Sequence, residues 1–515
     1  MPASEELLSR EFATLPALVR VHAIERPAHI ALIDGDERVS YREFDALIDR
    51  AAAGLQRDGL PAEGRVAIAG ATSIAYLVVM LGILRAGGVP VPLAPSSTAE
   101  AFAAMVADAT PSHLFLDTDA AAAFAAAVSR DTAQVALSGL AFEAWLAPEG
   151  HPPVEPSTAP SAAFNIIYSS GTTGTPKGIV QSHAMRWQHI RRGRITGYAA
   201  DAVTLISTPL YSNTTLVSVV PALAYGGTLV LMAKFDARRF LELAQQHGVT
   251  HAMLVPVQYQ RLMDLPDFGA FDLSAFRMKT CTSAPFAAAL KADILRRWPG
   301  GLVEIYGMTE GGGTMTLAAH LFPDKLHTVG RPVEGHHIRL IDDDGNEVPQ
   351  GEAGEVVGHS PAMMTHYLNQ LDKTREAEWF DAEGRRYIRT GDIGRFDPDG
   401  FLTLLDRKKD MIISGGFNIY PSDLEGVLLA HPGVSDAAVV GVPSREWGET
   451  PIGFVTPATG ASLSPADIRQ WVADRVGKTQ RLADLVILDE LPRSPIGKIL
   501  KRELRDRYLL EQPLA

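Results

Sequence analysis

The sequence predicts an α/β protein with a large N-terminal domain of helix-covered β-sheets and a small α+β C-terminal domain. Three observations predict it. Helical and strand patterns alternate over residues 15–147 and again over 205–330, which favours a largely parallel sheet covered by helices. Of the 515 residues, 46% are apolar and 21% charged, a globular composition long enough for more than one domain. A charge cluster, Asp406-Arg-Lys-Lys-Asp410, separates the long alternating part from a final stretch of ordinary domain size. The expected domains are therefore 1–406 and 407–515.

Taken in order, Ser40 and Glu43 form a capping box ahead of the amphipathic stretch 44–55. Residues 65–69 read as a short buried strand. The apolar run 75–84 is cut off by Arg85, short of the roughly 20 residues a membrane span needs, and reads as a buried helix. A strand is expected at 89–93 and a helix over the Ala-rich 119–128. Residues 149–161, rich in Pro, Ser and Ala, read as a surface connection, and 164–168 as a strand entering a Gly/Thr loop. Strands at 338–343, 355–358 and 401–405 are punctuated by Asp-Asp-Gly and Asp397-Pro-Asp-Gly400 turns. Helices at 422–430 and 465–476 and strands at 437–442 and 452–456 complete the small domain.

The net charge of −13 offers no general attraction to nucleic acid or acidic membranes, so an anionic ligand must be captured locally. A single cysteine, Cys281, allows no intrachain disulfide and fits the cytoplasm. The N-terminus lacks the basic-then-apolar pattern of a signal peptide. The fifteen histidines show no zinc spacing. Cys281, with no neighbouring base, reads as a core or loop thiol.

The most informative segment is Ser169, Ser170, Gly171, Thr172, Thr173, Gly174, Thr175, Pro176 and Lys177. Its glycines free the backbone to approach a ligand, its hydroxyl and N–H groups can donate to phosphate oxygens, and Lys177 adds a cation. It is neither a Walker A loop nor a dinucleotide turn, and a flexible linker is the plain alternative. In Tyr306-Gly-Met-Thr-Glu310 the aromatic can stack on a base and the carboxylate can hold Mg²⁺, or the segment is an ordinary turn. Asp392, ending a strand, can accept from two ribose hydroxyls, although a turn aspartate is the plainer reading. Lys498 and His183 are, in isolation, a solvated lysine and a structural histidine.

In this order these motifs (168–178, 306–310, 387–392, 406–425 and 492–498) resemble the adenylate-forming superfamily of acyl-CoA synthetases, peptide-synthetase adenylation domains and luciferases, in its acyl- or aryl-CoA ligase branch. The resemblance spans about 15–504. It implies that Ser169–Lys177 embraces the β- and γ-phosphates of ATP. Ser283, Ala284, Pro285 and Tyr306 would flank adenine with Gly307 beside them, and Asp392 and Arg407 would hold the ribose. Glu310, helped by Ser169, would hold Mg²⁺. Thr309 would reach the α-phosphate, and Lys498 would bridge it to the substrate carboxylate. The resemblance also implies that the small C-terminal domain is mobile, and Lys409 matches its hinge. Gly415, Gly416 and Trp447 match positions near CoA.

The resemblance places the acyl pocket at Tyr211, Ser212, Thr214, Gly307, Gly312 and Thr314, with Ser212 where many relatives carry histidine. None of these is charged, and a buried unpaired charge is costly, so an uncharged, largely apolar acid, fatty or aryl, is expected. No aspartate in residues 211–216 stands ready for an amino group, which argues against amino acids. The expected activity is ATP-dependent, AMP-forming ligation of that acid to CoA. Alternatives are transfer to a carrier protein, a luciferase-type oxygenase or a silent nucleotide binder. No nucleic-acid partner or membrane insertion is expected, and a homo-oligomer is allowed.

Overall fold

The alternating pattern of the N-terminal part becomes parallel sheet. The computed structural model describes residues 2–124, 126–128, 132–169, 177–414, 417–445, 447–477, 480–494 and 497–511. It divides into two units, one of Met1–Leu326, Pro332–His337 and Gly358–Ile388, the other of His327–Arg331, Ile338–Val357 and Arg389–Ala515.

In the first unit a large sheet runs, side by side, Met315–Ala318, Gly301–Tyr306, Met278–Cys281, His251–Leu254, Val203–Ile206, Thr228–Leu231, Ile30–Asp34 and Glu37–Ser40. The inner strands pair parallel and the two outermost of this series antiparallel. A second, all-parallel sheet orders Val89–Pro92, Arg65–Ala69, His113–Leu116 and Ala133–Ala136. A third, antiparallel sheet holds His366–Tyr367, Lys177–Ser182 and Ala163–Ser169.

The apolar run forms the helix Ile74–Arg85, buried along its whole length. Arg85, which ends the run, is itself buried and donates to Asp45 and Asp49 at 2.5 and 2.9 Å on the helix Tyr41–Arg57. The two helices approach so closely at Gly82 that a Cβ there would lie 2.7 Å from the Ala51 Cβ. The Ser40/Glu43 capping box is present in full. Ser40→Ala should cost about 1 kcal/mol, read as a lowered denaturation midpoint.

The helix over 119–128 is shorter than expected, Thr118–Phe124. Phe124 stacks on Phe102 with centroids 4.0 Å apart, and the chain turns as Ala127 N–H donates to the Phe124 carbonyl. Other expected elements appear within a few residues of their predicted ends.

A fourth sheet orders His337–Ile341, Gly354–His359, Arg386–Phe396 and Glu378–Phe380, with Leu402–Arg407 also paired to Arg386–Phe396. A further sheet orders Phe417–Ile419, Ile412–Ser414, Gly448–Pro457 and Val434–Ser444, with Asp484–Ile487 parallel to Gly448–Pro457. The helices Pro421–Leu429 and Lys501–Glu511 pack on it around Leu424, Leu428 and Leu504. Among the described residues no helix is long and apolar enough to cross a membrane.

Candidate active site

Ligands of open parallel sheets gather at the carboxyl ends of the strands. Three of the expected segments lie there on the large sheet. Tyr211–Thr214 follow Val203–Ile206, Ser283–Pro285 follow Met278–Cys281, and Tyr306–Glu310 follow Gly301–Tyr306. Ser283 sits at φ +81°, a left-handed conformation uncommon for any residue but glycine. Its hydroxyl lies 2.7 Å from that of Thr214. An expected adenine neighbour thus meets an expected acyl-pocket residue. Ser212 takes the N-cap position of the helix Asn213–Ala224 without a side-chain capping bond. Tyr211 keeps to Ser96, and burial raises its phenol pKa.

The Gly/Thr loop joins two antiparallel strands whose last rung pairs Ser169 with Lys177. Ser170, Gly171, Thr172, Thr173, Gly174, Thr175 and Pro176 lie outside the described residues, as do Gly415 and Gly416. The Lys177 ammonium stands 5.1 Å from the centre of the Tyr367 ring. Tyr367 donates its hydroxyl to Glu310 Oε1 at 2.8 Å. Its phenol pKa is raised by burial first and by the Glu310 charge second. Tyr367 therefore ties the lysine of the loop to the expected metal carboxylate. Nothing in Thr365-His-Tyr-Leu368 signals this, because the strand His366–Tyr367 joins the hairpin only through tertiary pairing.

The segment 306–314 is clamped from both sides. Gln181 donates to the Thr309 carbonyl at 2.7 Å, Met364 N–H to the Glu310 carbonyl at 2.7 Å, and Ser360 to the Gly311 carbonyl at 2.7 Å. A Cβ on Gly311, at φ +73°, would lie 1.8 Å from the Ala362 carbonyl oxygen, so only glycine fits. Gln181 is fully buried and accepts from Asn165 at 3.0 Å and from Arg186. Two polar residues inside otherwise apolar strands, Asn165 and Gln181, were the available signal for this network. Gly312 packs on Ile388, which a Cβ would approach to 2.5 Å. Thr314 meets Arg192 and His336, both absent from the sequence reading of the site.

Glu310 gives one hard oxygen donor. Such an oxygen is the donor type Mg²⁺ prefers; among the described residues no group of three metal-ligating side chains gathers. His183 is structural: buried, edge-on to Phe164 at 5.1 Å, its pKa lowered to about 4 by burial. Cys281 is a buried free thiol whose pKa burial pushes up.

In the second unit Asp392 and Arg407 are cross-strand partners, Arg407 Nε donating to Asp392 Oδ1 at 2.7 Å. Lys498 follows a tight turn. Ser494 accepts from the Gly497 and Lys498 N–H groups at 2.7 and 3.1 Å, and Gly497 takes φ +78°. The Lys498 side chain keeps solvent access. Partial burial and then the Arg407 and Lys409 cations lower its pKa to about 8, against the pull of Asp392 and Asp410. The two expected ribose ligands and the expected catalytic lysine thus share one electrostatic neighbourhood. Next to Lys409, Lys408 is tied to Asp343 and Glu355 at 2.8 and 3.1 Å. Trp447 is half exposed.

The profile of the AMP-binding enzyme family matches residues 19–368, and that of the AMP-binding enzyme C-terminal domain matches 423–498. The chain is 32% identical over 510 residues, 97% of each chain, to the fatty acid–[acyl-carrier-protein] ligase ScoC of Streptomyces coeruleorubidus. It is 33% identical over 506 residues, 94% of this chain and 96% of the other, to the indoleacetate–CoA ligase of Aromatoleum aromaticum. Its fold matches ATP-bound MatB from Rhodopseudomonas palustris with a TM-score of 0.88 at 27% identity, over 96% of this chain and 99% of that one.

Proposed function

This chain belongs to the AMP-binding enzyme family, and on that premise we propose that it is an ATP-dependent, AMP-forming carboxylate–CoA ligase. The observation that carries the reading is the Lys177–Tyr367–Glu310 line, which sets a cation and a carboxylate at the base of a Gly/Thr loop.

A carboxylate is a poor electrophile because its leaving group would be oxide. In the proposed first step its oxygen bonds to the α-phosphorus of ATP, the bond to the β-phosphate oxygen breaks, and pyrophosphate leaves. No base is needed, since the acid is ionised at neutral pH. Two anions must meet, so positive charge is required where the new bond forms. Lys498 supplies it at the α-phosphate and Lys177 at the departing phosphates. Asp392 and Arg407 hold the ribose, and Ser283, Ala284, Pro285, Tyr306 and Gly307 the adenine. Mg²⁺, held by Glu310 with Ser169, would neutralise the phosphate charge. In the second step the CoA sulfur bonds to the acyl carbon, the bond to the AMP oxygen breaks, and the thiol proton goes to solvent. Residues 407–515, turning about Lys409, would exchange Lys498 for the CoA-facing positions Gly415, Gly416 and Trp447. A cytoplasmic setting fits the lone buried thiol.

The test supplies ATP, Mg²⁺ and a panel of acids. Acid-dependent pyrophosphate release is expected without CoA, and AMP plus an acyl-CoA thioester with it. Release that never yields a thioester with CoA, but does with a phosphopantetheinylated carrier protein, would shift the acceptor to the class ScoC's name gives. The acid was expected to be uncharged, fatty or aryl, from the pocket positions alone. The surroundings of Thr314 bear on that point.

A further inference from the structure

The helix His183–Gly193 runs from the expected adenylation chemistry to a buried group of cationic and imidazole side chains. Just before its first turn, Gln181 holds the Thr309 carbonyl. At its last turn, Arg192 Nη1 donates to the Thr314 hydroxyl at 3.3 Å. Nine residues at about 1.5 Å each put the two helix ends about 14 Å apart.

Arg192 is not a solvated helix-end cation. Its Nη2 is shielded from solvent and has no hydrogen-bond partner. Cations favour helix carboxyl ends, and the neighbouring Arg191 in the same last turn is exposed. Beside it, Arg186 spends its donors on neutral partners, Asn165 at 3.0 Å, Gln181 and the His189 ring at 3.3 Å. No carboxylate pairs with either arginine among the described residues. Burial lowers their pKa values to about 9 and about 10, so both stay charged at neutral pH. His189 is held neutral by burial and by Arg186, Arg192 and His336. His336 is held neutral by burial and then Arg192, with a pKa of about 4. Its Nδ1 accepts from the Thr314 N–H at 2.9 Å, which leaves the ring proton on Nε2 as a donor. Opposite lies backbone rather than a wall of side chains: a Cβ on Gly307 would first meet the Gly313 carbonyl oxygen at 3.5 Å and the Thr314 hydroxyl at 3.7 Å.

A half-buried guanidinium with a solvent-shielded, unspent donor and no counter-charge is costly until an anion arrives. We propose that Arg192, with Thr314, His336 and His189, recognises a second carboxylate at the far end of the acid, so that the preferred substrate is a dicarboxylate. The inference rests on the ligase reading, which makes Thr314 and Gly307 pocket residues, and it revises the expectation of an uncharged acid. The activated carboxylate lies toward Thr309 and the second toward Arg192, so the acid is held at both ends.

The test uses matched pairs, octanoate with suberate and phenylacetate with 4-carboxyphenylacetate. The full chain is assayed for pyrophosphate release, and for thermal stabilisation by each acid without ATP. Wild type should favour the diacid of each pair. Arg192→Gln should lower kcat/KM for diacids roughly 10–100-fold, leave the monoacids unchanged or improved, and lose the diacid-dependent stabilisation. Arg192→Lys, which keeps the charge, should retain part of the preference and controls for misfolding. Wild-type preference for the monoacids, or an equal loss on both members of a pair in Arg192→Gln, overturns the proposal. If no acid releases pyrophosphate, the ligase reading fails. Diacid stabilisation that Arg192→Gln abolishes then still upholds the anion site, and its absence removes the site too.

Discussion

Replacing Lys498 with alanine should nearly abolish acyl-adenylate formation, by roughly 10²–10³-fold or more, while thioester formation from supplied acyl-adenylate stays close to wild type. The asymmetry follows from where charge develops. Pyrophosphate departure builds negative charge that a cation at the α-phosphate offsets, whereas attack by sulfur on a finished mixed anhydride builds none there. The turn that presents Lys498 is held by Ser494 and by Arg493, which donates to the Gly497 carbonyl at 2.6 Å and pairs with Asp436. The alanine variant should therefore fold normally. Because Arg407 and Lys409 help lower the Lys498 pKa to about 8, kcat/KM for adenylation should also decline as pH rises through that value and the ammonium loses its proton. Acetylation of Lys498 should mimic the alanine by removing the charge. Equal losses in both steps would falsify the assigned role.

Lys291→Met should be the most damaging single change to stability outside the site, at roughly 3–5 kcal/mol. Lys291, on the helix Ala288–Arg297, and Glu304, on the strand leading to Tyr306, are both buried and form an ion pair, with the ammonium also donating to the Leu326 carbonyl at 2.7 Å. Burial pushes the Glu304 carboxyl up, and Lys291 holds it back. Without the lysine the folded carboxyl would bind its proton more tightly still. A raised acid pKa gives stability that is present below the unfolded value of 4.5 and lost as pH climbs through the folded one. The variant's loss should thus be larger at pH 8 than at pH 5, read from Tm across that range. The double change Lys291→Met with Glu304→Leu should recover much of it, because no charge is then stranded. An unchanged Tm in the single variant, or a loss that shrinks as pH rises, would show that the pair does not carry this load.

Local chemistry made much of the fold legible. The Ser40/Glu43 box, the run ended by Arg85 and the strand entering the Gly/Thr loop are each written within a dozen residues. The turn Asp397-Pro-Asp-Gly400 marks the hairpin that carries Asp392 and Arg407, although a bulge between Ile393 and Gly394 shifts the register that pairs them. Tyr367, Arg192 and Gln181 were not legible. Tyr367 reaches Glu310 from 57 positions away and Arg192 reaches Thr314 from 122, and no spacing rule spans such distances. The cation beside Thr314 was hidden for the same reason: the motif positions are all uncharged, and Arg192 arrives from a neighbouring helix whose sequence, Arg191-Arg192, reads as an ordinary basic end.

The place of Arg192 on the helix His183–Gly193 has a consequence for how selectivity could change. On a helix, position advances together with angle, about 100° per residue, so deleting one residue would swing the guanidinium off its face instead of drawing it slightly nearer. Only steps of three or four residues keep the heading, and the position one turn earlier is already His189. Adaptation to a shorter diacid would therefore come in jumps of about 5 Å, by passing the charge back along one stripe of the helix. On the diacid reading, substrate length would change in steps, not continuously.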